Sequence, residues 1–85
     1  MSFAATAWAF GQHRLTPEQK LVLIVLADFH TPEGRCRVSN GELAFETGIS
    51  EDRLGEILIE LKRLHLVAQL AGGEFVLAFD GRGAQ

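Results

Sequence analysis

Arginine and small polar side chains are concentrated between residues 35 and 53, and together they could bind phosphate groups. The set consists of Arg35, Arg37, Ser39, Asn40, Ser50 and Arg53, and two further cations, Lys62 and Arg63, follow it. Guanidinium groups form charge-assisted hydrogen bonds with phosphate oxygens, and the backbone N–H groups at a helix N-terminus also favour an anion. Ser and Asn are equally common as helix caps, and arginines are common on any surface, so a purely structural role stays open.

Other kinds of chemistry find little support in the sequence. The three histidines, His13, His30 and His65, are scattered, and no nucleophile is paired with a base. The single cysteine, Cys36, cannot form an internal disulfide, and it lacks the clustered Cys or His residues that a zinc site requires. We therefore predict a protein that is not an enzyme and that needs no metal or other cofactor.

The phosphate-binding candidates lie on two predicted helices that are joined by a short turn. Ser39 and Glu42 have the spacing of a capping box, which predicts the start of the first helix. Gly48 can adopt the left-handed conformation that ends a helix, and Ser50 can cap a longer helix over residues 50–65. Two helices with a Gly-containing turn between them form the helix-turn-helix motif, whose second helix commonly enters the major groove of DNA.

The predicted second helix has one apolar side and one acidic side. We expect its apolar face to pack on residues 21–26, and that face contains Leu54, Ile57, Leu58, Leu61 and Leu64. The opposite side carries Asp52, Glu56 and Glu60, with Ile59 beside them. A carboxylate can accept a hydrogen bond from cytosine, but three of them along one side are unfavourable near phosphates. The acidic side is either a solvated face or, as an alternative function, the contact surface for a basic protein partner.

Two further helices are predicted before this motif. Residues 3–11 are largely apolar and form a short first helix. Thr16 and Gln19 have the spacing of another capping box, which predicts a helix over 17–30. Its segment 20–29, KLVLIVLADF, is too continuously apolar for an exposed helix, so we place it at the centre of the core.

The sequence after the long helix predicts a β-hairpin. The β-prone residues 66–70 and 75–79 flank a Gly-Gly turn, and residues 35–38 could add a short strand. The predicted fold class is therefore mainly α with a C-terminal β-hairpin, which is the winged helix-turn-helix arrangement. Residues 1–80 are predicted to form one domain, and residues 81–85 a flexible tail.

Length and charge set limits on the function. The chain has 85 residues, 47% of them hydrophobic, which suits a single domain. No apolar run approaches the ~20 residues that a membrane span requires, and the first ten residues lack the basic region of a secretory signal. With the lone cysteine, these features predict a cytoplasmic protein. The net charge of -3 argues mildly against tight DNA binding, since DNA-binding domains are usually basic.

Residues spread over nearly the whole chain match one family pattern. They are Trp8-Ala9, KLVLIVLAD at 20–28, Cys36, Ser39, Leu43-Ala44, Thr47-Gly48-Ile49-Ser50, and the ending Leu61, Leu64 and Leu66. In these residues the chain resembles the winged helix-turn-helix module of phage- and plasmid-encoded replication-initiation proteins and related small bacterial regulators. The resemblance implies a protein that binds double-stranded DNA in transcription or replication control, with its recognition helix at 50–65. Such helices are rich in Arg, Lys and Thr, whereas residues 51–56 contain Arg53 as their one cation.

Large apolar residues near the N-terminus allow two interpretations. Phe3, Trp8 and Phe10 could cover the core of a small domain, or they could form an interface with a second copy of the chain. Because helix-turn-helix proteins often bind two half-sites as dimers, we predict a homodimer interface here.

Overall fold

Four helices are followed by a two-stranded antiparallel hairpin in the computed structural model, which describes residues 3–79. The elements are α1 (Phe3–Phe10), α2 (Pro17–Asp28), α3 (Asn40–Thr47), α4 (Glu51–Arg63), β1 (Val67–Gln69) and β2 (Phe75–Leu77). This order confirms the predicted fold class of a mainly helical protein with a C-terminal hairpin. The tail predicted at 81–85 lies outside the described residues.

The helix boundaries follow the caps that the sequence predicts. The hydroxyl of Ser39 accepts a hydrogen bond from the Glu42 amide at 3.1 Å, and the Glu42 carboxylate accepts one from the Ser39 amide at 3.0 Å. Gly48 ends α3 with φ of 75°, a conformation that only glycine adopts without appreciable strain. The Ser50 hydroxyl then accepts from the amide of Arg53 at 3.2 Å, which starts α4. The helix-turn-helix motif is thus defined by local hydrogen bonds.

The core lies around α2, which contacts each of the other three helices. Its inward residues are fully buried, and they are Val22, Leu23, Leu26 and Ala27. Four residues of α4 meet them with 4% exposure or less, namely Leu54, Ile57, Leu58 and Leu61. The predicted packing of the α4 stripe on α2 is therefore confirmed for these residues.

Two leucines assigned to this packing are exposed instead. Leu21 is 40% exposed because it lies on the side of α2 opposite to its buried residues. Leu64 is 49% exposed because α4 ends at Arg63 and the chain then turns through His65, whose φ is 60°. Helix α2 also ends at Asp28, two residues before the predicted 30.

The hairpin, which we call the wing, is tied to the loop that precedes α3. Strands β1 and β2 pair in the register Val67 with Leu77 and Gln69 with Phe75. On the other side of β2, the amide of Cys36 donates to the Phe75 carbonyl at 2.7 Å, and the Phe75 amide donates to the Cys36 carbonyl at 3.1 Å. The strand predicted at 35–38 is thus reduced to bridges at Cys36. Since the Cys36 and Phe75 side chains are fully buried, the wing shares the core of the helices.

Candidate nucleic-acid interface

The outward side of α4 and its two flanks have different neighbours. Asp52, Glu56, Ile59 and Arg63 point outward, and Ile59 is 50% exposed. One flank faces the N-terminal end of α2, where Arg53 meets Glu18. The other flank faces the wing. The outward side of α4 therefore lies between the N-terminal end of α2 and the wing.

Arg53 is bound to carboxylates on the α2 side. Its Nη2 lies 2.9 Å from Oε1 of Glu18, and its Nη1 lies 2.8 Å from Glu56 and 3.6 Å from Glu60. Hydrogen bonds with Glu18 and then with Glu56 raise the pKa of the Arg53 guanidinium, so it is cationic at any physiological pH. Gln19 also donates to Glu60 at 2.8 Å. Arg53 thus joins two of the carboxylates of the predicted acidic surface to each other and to α2.

The two arginines before α3 are bound to the wing. Glu74, which precedes β2, places its Oε1 3.3 Å from Nη1 of Arg35 and its Oε2 2.6 Å from Nε of Arg37. The wing turn itself has no cation, so these arginines supply the positive charge at its tip. Sequence spacing could not reveal this contact, because Arg37 and Glu74 are far apart in the chain.

An open groove of about 550 Å³ separates the wing from the start of α3. Residues that line it include Arg37, Ser39, Asn40, Gly72, Gly73 and Glu74. The capping box engages the Ser39 hydroxyl and the Glu42 amide, while the amides of Asn40 and Gly41 have no partner within the helix. Three of the predicted phosphate-binding residues, Arg37, Ser39 and Asn40, are therefore brought together at this groove. Arg35 is joined to the groove through its ion pair with Glu74.

The C-terminal end of α4 contributes a second pair of cations. The Lys62 ammonium donates to the side-chain oxygen of Gln69 at 3.0 Å, and the Gln69 amide group donates to the Gly73 carbonyl at 3.2 Å. This chain of contacts fixes the wing against α4. Arg63 is exposed and forms no ion pair within residues 3–79. Arg63 is consequently the motif's most available cation.

Two exposed carboxylates follow the turn between α3 and α4. Glu51 and Asp52 occupy the first turn of α4, where they interact favourably with the helix dipole. Neither side chain is bound to a cation in the described part of the chain. The N-cap Ser50 lies next to them, so a phosphate at this cap would meet two negative charges.

The N-terminal aromatic residues do not act as one group. Trp8 is partly buried, and its ring centre lies 6.1 Å from that of Phe79, so it covers the core. Phe3 and Phe10 are 87% and 58% exposed. The structure thus shows Trp8 packed on the core, while the homodimer interface predicted at Phe3, Trp8 and Phe10 stays a prediction.

One exposed aromatic residue escaped the sequence analysis. Phe45 lies on α3 and is 85% exposed, although it belongs to the helix-turn-helix motif itself. It is two positions after the buried Leu43, so a helical projection places it on the opposite side of α3. The same projection that revealed the acidic side of α4 would have found it.

Neither a metal-binding cluster nor a membrane-spanning helix is found in the part of the chain that the structure describes. Within residues 3–79, no group of three or more His, Cys, Asp or Glu side chains is arranged to hold a metal ion. None of the helices in that range is both long enough and apolar enough to cross a lipid bilayer.

The fold is that of a winged helix-turn-helix protein, a class whose members commonly bind DNA. The chain belongs to the helix-turn-helix domain family, whose model matches residues 13–67. That range includes α2, α3, α4 and the first residue of β1, so the rest of the wing is identified by the structure. Searches of curated proteins and of solved structures gave no match.

Proposed function

We propose that this chain binds double-stranded DNA in transcription or replication control, and that it does so in the cytoplasm. Helix α4 would lie at the major groove, with the wing and the start of α3 against the flanking backbone. The observation that carries the proposal is the groove between the wing and the start of α3, which Arg37, Ser39 and Asn40 line. Glu74 of the same groove binds both Arg37 and Arg35. The resemblance to the modules of replication-initiation proteins supports the proposed role in transcription or replication control.

The proposed phosphate contacts form two groups, one at the wing groove and one at the C-terminal end of α4. Arg35, Arg37, Ser39 and Asn40 serve one phosphate near the wing, while Lys62 and Arg63 serve another at the end of α4. The cap at Ser50 is the weakest of the proposed contacts, because its helix N-terminus favours phosphate while Glu51 and Asp52 beside it repel an anion. Arg53 is proposed to contact DNA only by leaving Glu18 and Glu56, so its main contribution is to hold α4 on α2.

Carboxylates on α4 restrict what this surface can bind. Asp52 points outward from the first turn, where it can accept a hydrogen bond from the exocyclic amino group of cytosine. It would also repel phosphates, so one protomer should bind DNA weakly. Two protomers joined through Phe3 and Phe10 would double the number of contacts, and we propose a homodimer for this reason.

Polarisation of a labelled DNA duplex, titrated at ~50 mM salt, tests the proposal where the electrostatic contribution is largest. We expect binding that weakens linearly on a plot of log affinity against log salt. The substitution Arg63→Gln should reduce the slope by about 0.9, because one phosphate contact is lost. Arg14→Gln is the matched control, since Arg14 lies in the loop between α1 and α2 and also has no ion pair within residues 3–79. Absence of any binding at low salt would refute the proposal.

A second candidate function is contact with a basic protein partner through the outward side of α4. The observation that favours it is that Asp52 and Glu51 are exposed and bind no cation within residues 3–79, with the exposed Ile59 on the same helix. Glu56 and Glu60 belong to the same predicted surface, but part of their charge is compensated by Arg53.

This alternative is best tested at Asp52, because reversing Glu56 or Glu60 would also disturb the contacts with Arg53. A basic partner recovered from a pull-down should be lost with Asp52→Lys and retained with Glu46→Lys, which changes an exposed carboxylate on α3. Retention of the partner by Asp52→Lys would remove this candidate function. Tighter DNA binding by the same variant would favour the first proposal.

A further inference from the structure

Glu74 holds two arginines of the proposed DNA-binding surface with one carboxylate. Each of its two carboxylate oxygens binds one arginine, with Oε1 at 3.3 Å from Nη1 of Arg35 and Oε2 at 2.6 Å from Nε of Arg37. The Glu74 side chain is 26% exposed, whereas those of Arg35 and Arg37 are 49% and 60% exposed. The carboxylate is therefore the more enclosed partner, and the guanidinium groups remain accessible from outside.

The position of this carboxylate is that of an anion bound in the wing groove. Glu74 lines the groove together with Ser39 and Asn40, which start α3. The wing turn that carries it is closed by a hydrogen bond from the Leu70 amide to the Glu74 carbonyl at 2.8 Å. The turn thus holds the backbone of Glu74 in place while its side chain reaches the arginines.

We propose that Glu74 occupies, in the free protein, the place of a DNA backbone phosphate and thereby limits the affinity for DNA. A phosphodiester carries the same single negative charge as the carboxylate, so it can replace Glu74 between Arg35 and Arg37. Ion pairs at exposed positions are weak, which makes the exchange possible. The exchange adds little to the free energy of DNA binding, however, because Glu74 already neutralises these arginines in the free protein. This inference depends on the proposed DNA binding and adds an internal competitor to it.

The substitution Glu74→Gln removes the competing charge and retains the size of the side chain. We expect it to tighten binding to a DNA duplex by about two- to tenfold at ~50 mM salt, as the loss of one or two surface ion pairs implies. The slope of log affinity against log salt should become steeper by about one to two, since freed arginines then neutralise phosphates themselves.

Glu33→Gln is the matched control for net charge. Glu33 lies in the same loop as Arg35. A hydrogen bond with Thr31 is the main reason that the pKa of its carboxyl group is lowered. Its charge acts on both arginines only through space. Glu33→Gln should therefore change DNA affinity less than Glu74→Gln. An equal effect of the two substitutions would show that only net charge matters and would overturn the inference.

A double-mutant cycle separates competition from other effects of Glu74. Arg37→Gln should weaken DNA binding more in the Glu74→Gln background than in the unmodified protein, because only there is Arg37 free. Glu74→Ala should shift affinity in the same direction as Glu74→Gln, and circular dichroism confirms that each variant is folded. Additive effects, or weaker binding by both Glu74 variants, would contradict the inference.

Failure of this inference is distinguishable from failure of the proposed function. Binding by the unmodified protein without any gain in the Glu74 variants overturns the competition alone. No binding by any variant at ~50 mM salt overturns both the competition and DNA binding itself.

Discussion

Arg53 of α4 and Glu18 of α2 form a salt bridge of 2.9 Å. It joins two helices that pack together although α3 lies between them in the sequence. Glu56 and Glu60 surround the same guanidinium, and Gln19 binds Glu60 from the α2 side. An arginine that the sequence analysis predicts to contact DNA thus binds α2 and holds α4 in its orientation relative to the core.

Replacing Arg53 by Lys should lower the free energy of unfolding. Lysine retains the charge but presents one ammonium group, which cannot reach Glu18 and Glu56 with the paired geometry of a guanidinium. The loss should shrink at ~1 M salt, where exposed charges are screened. Urea denaturation at low and high salt measures both quantities. Arg63→Lys is the control, and equal stability of the Arg53→Lys variant and the unmodified protein at low salt would show that the cluster contributes nothing.

Leu61→Ala should lower the free energy of unfolding by about 2–5 kcal/mol, since it removes a fully buried side chain from the contact between α4 and α2. Leu64→Ala should cost less than about 1 kcal/mol, because Leu64 is half exposed beyond the end of α4. Chemical denaturation of the two variants checks the difference. Similar losses would mean that Leu64 belongs to the core.

Two glycines of the motif should respond to alanine in opposite directions. Gly55 lies inside α4 with nothing within 4 Å of the position that a Cβ would occupy, so Gly55→Ala should stabilise the protein by about 1 kcal/mol. Gly48 has the same open surroundings but φ of 75°, so Gly48→Ala should destabilise it by about 1–2 kcal/mol. Thermal denaturation tests both signs, and a loss of stability with Gly55→Ala would reveal a contact that the fold does not account for.

Stability should fall at alkaline pH because of Cys36. Burial raises the pKa of its thiol from 9.0 to about 11, so the folded state retains a proton that the unfolded chain releases. The stabilisation is complete below about pH 9 and is lost as the pH rises towards 11, by on the order of 2 kcal/mol. Urea denaturation over this range should show a steeper decline for the unmodified protein than for Cys36→Ala. Parallel declines would mean that the thiol does not contribute.

Local signals in the sequence are sufficient to predict the helix-turn-helix motif. The capping box of Ser39 and Glu42, the left-handed Gly48 and the N-cap Ser50 each act over a few residues, so their spacing predicts their geometry. The hairpin follows for the same reason, because its two strands are joined by a short Gly-Gly turn.

The partners of the charged side chains could not be predicted in this way. Arg53 binds Glu18 and Arg37 binds Glu74, and neither contact leaves a periodic or spacing signal. They depend on how α2 and the wing pack against the motif. The arginines of the candidate site could therefore be identified from the sequence, while their contacts with carboxylates are visible only in the fold.

Chemical-shift mapping by NMR during titration with a DNA duplex at ~50 mM salt shows directly which residues contact DNA. We expect the amide signals of residues 37–42, of the outward side of α4 and of the wing turn to shift with added DNA, while those of the buried side of α2 do not. Unchanged spectra at saturating DNA, or shifts confined to α1, would contradict the assignment of this winged helix-turn-helix surface to DNA.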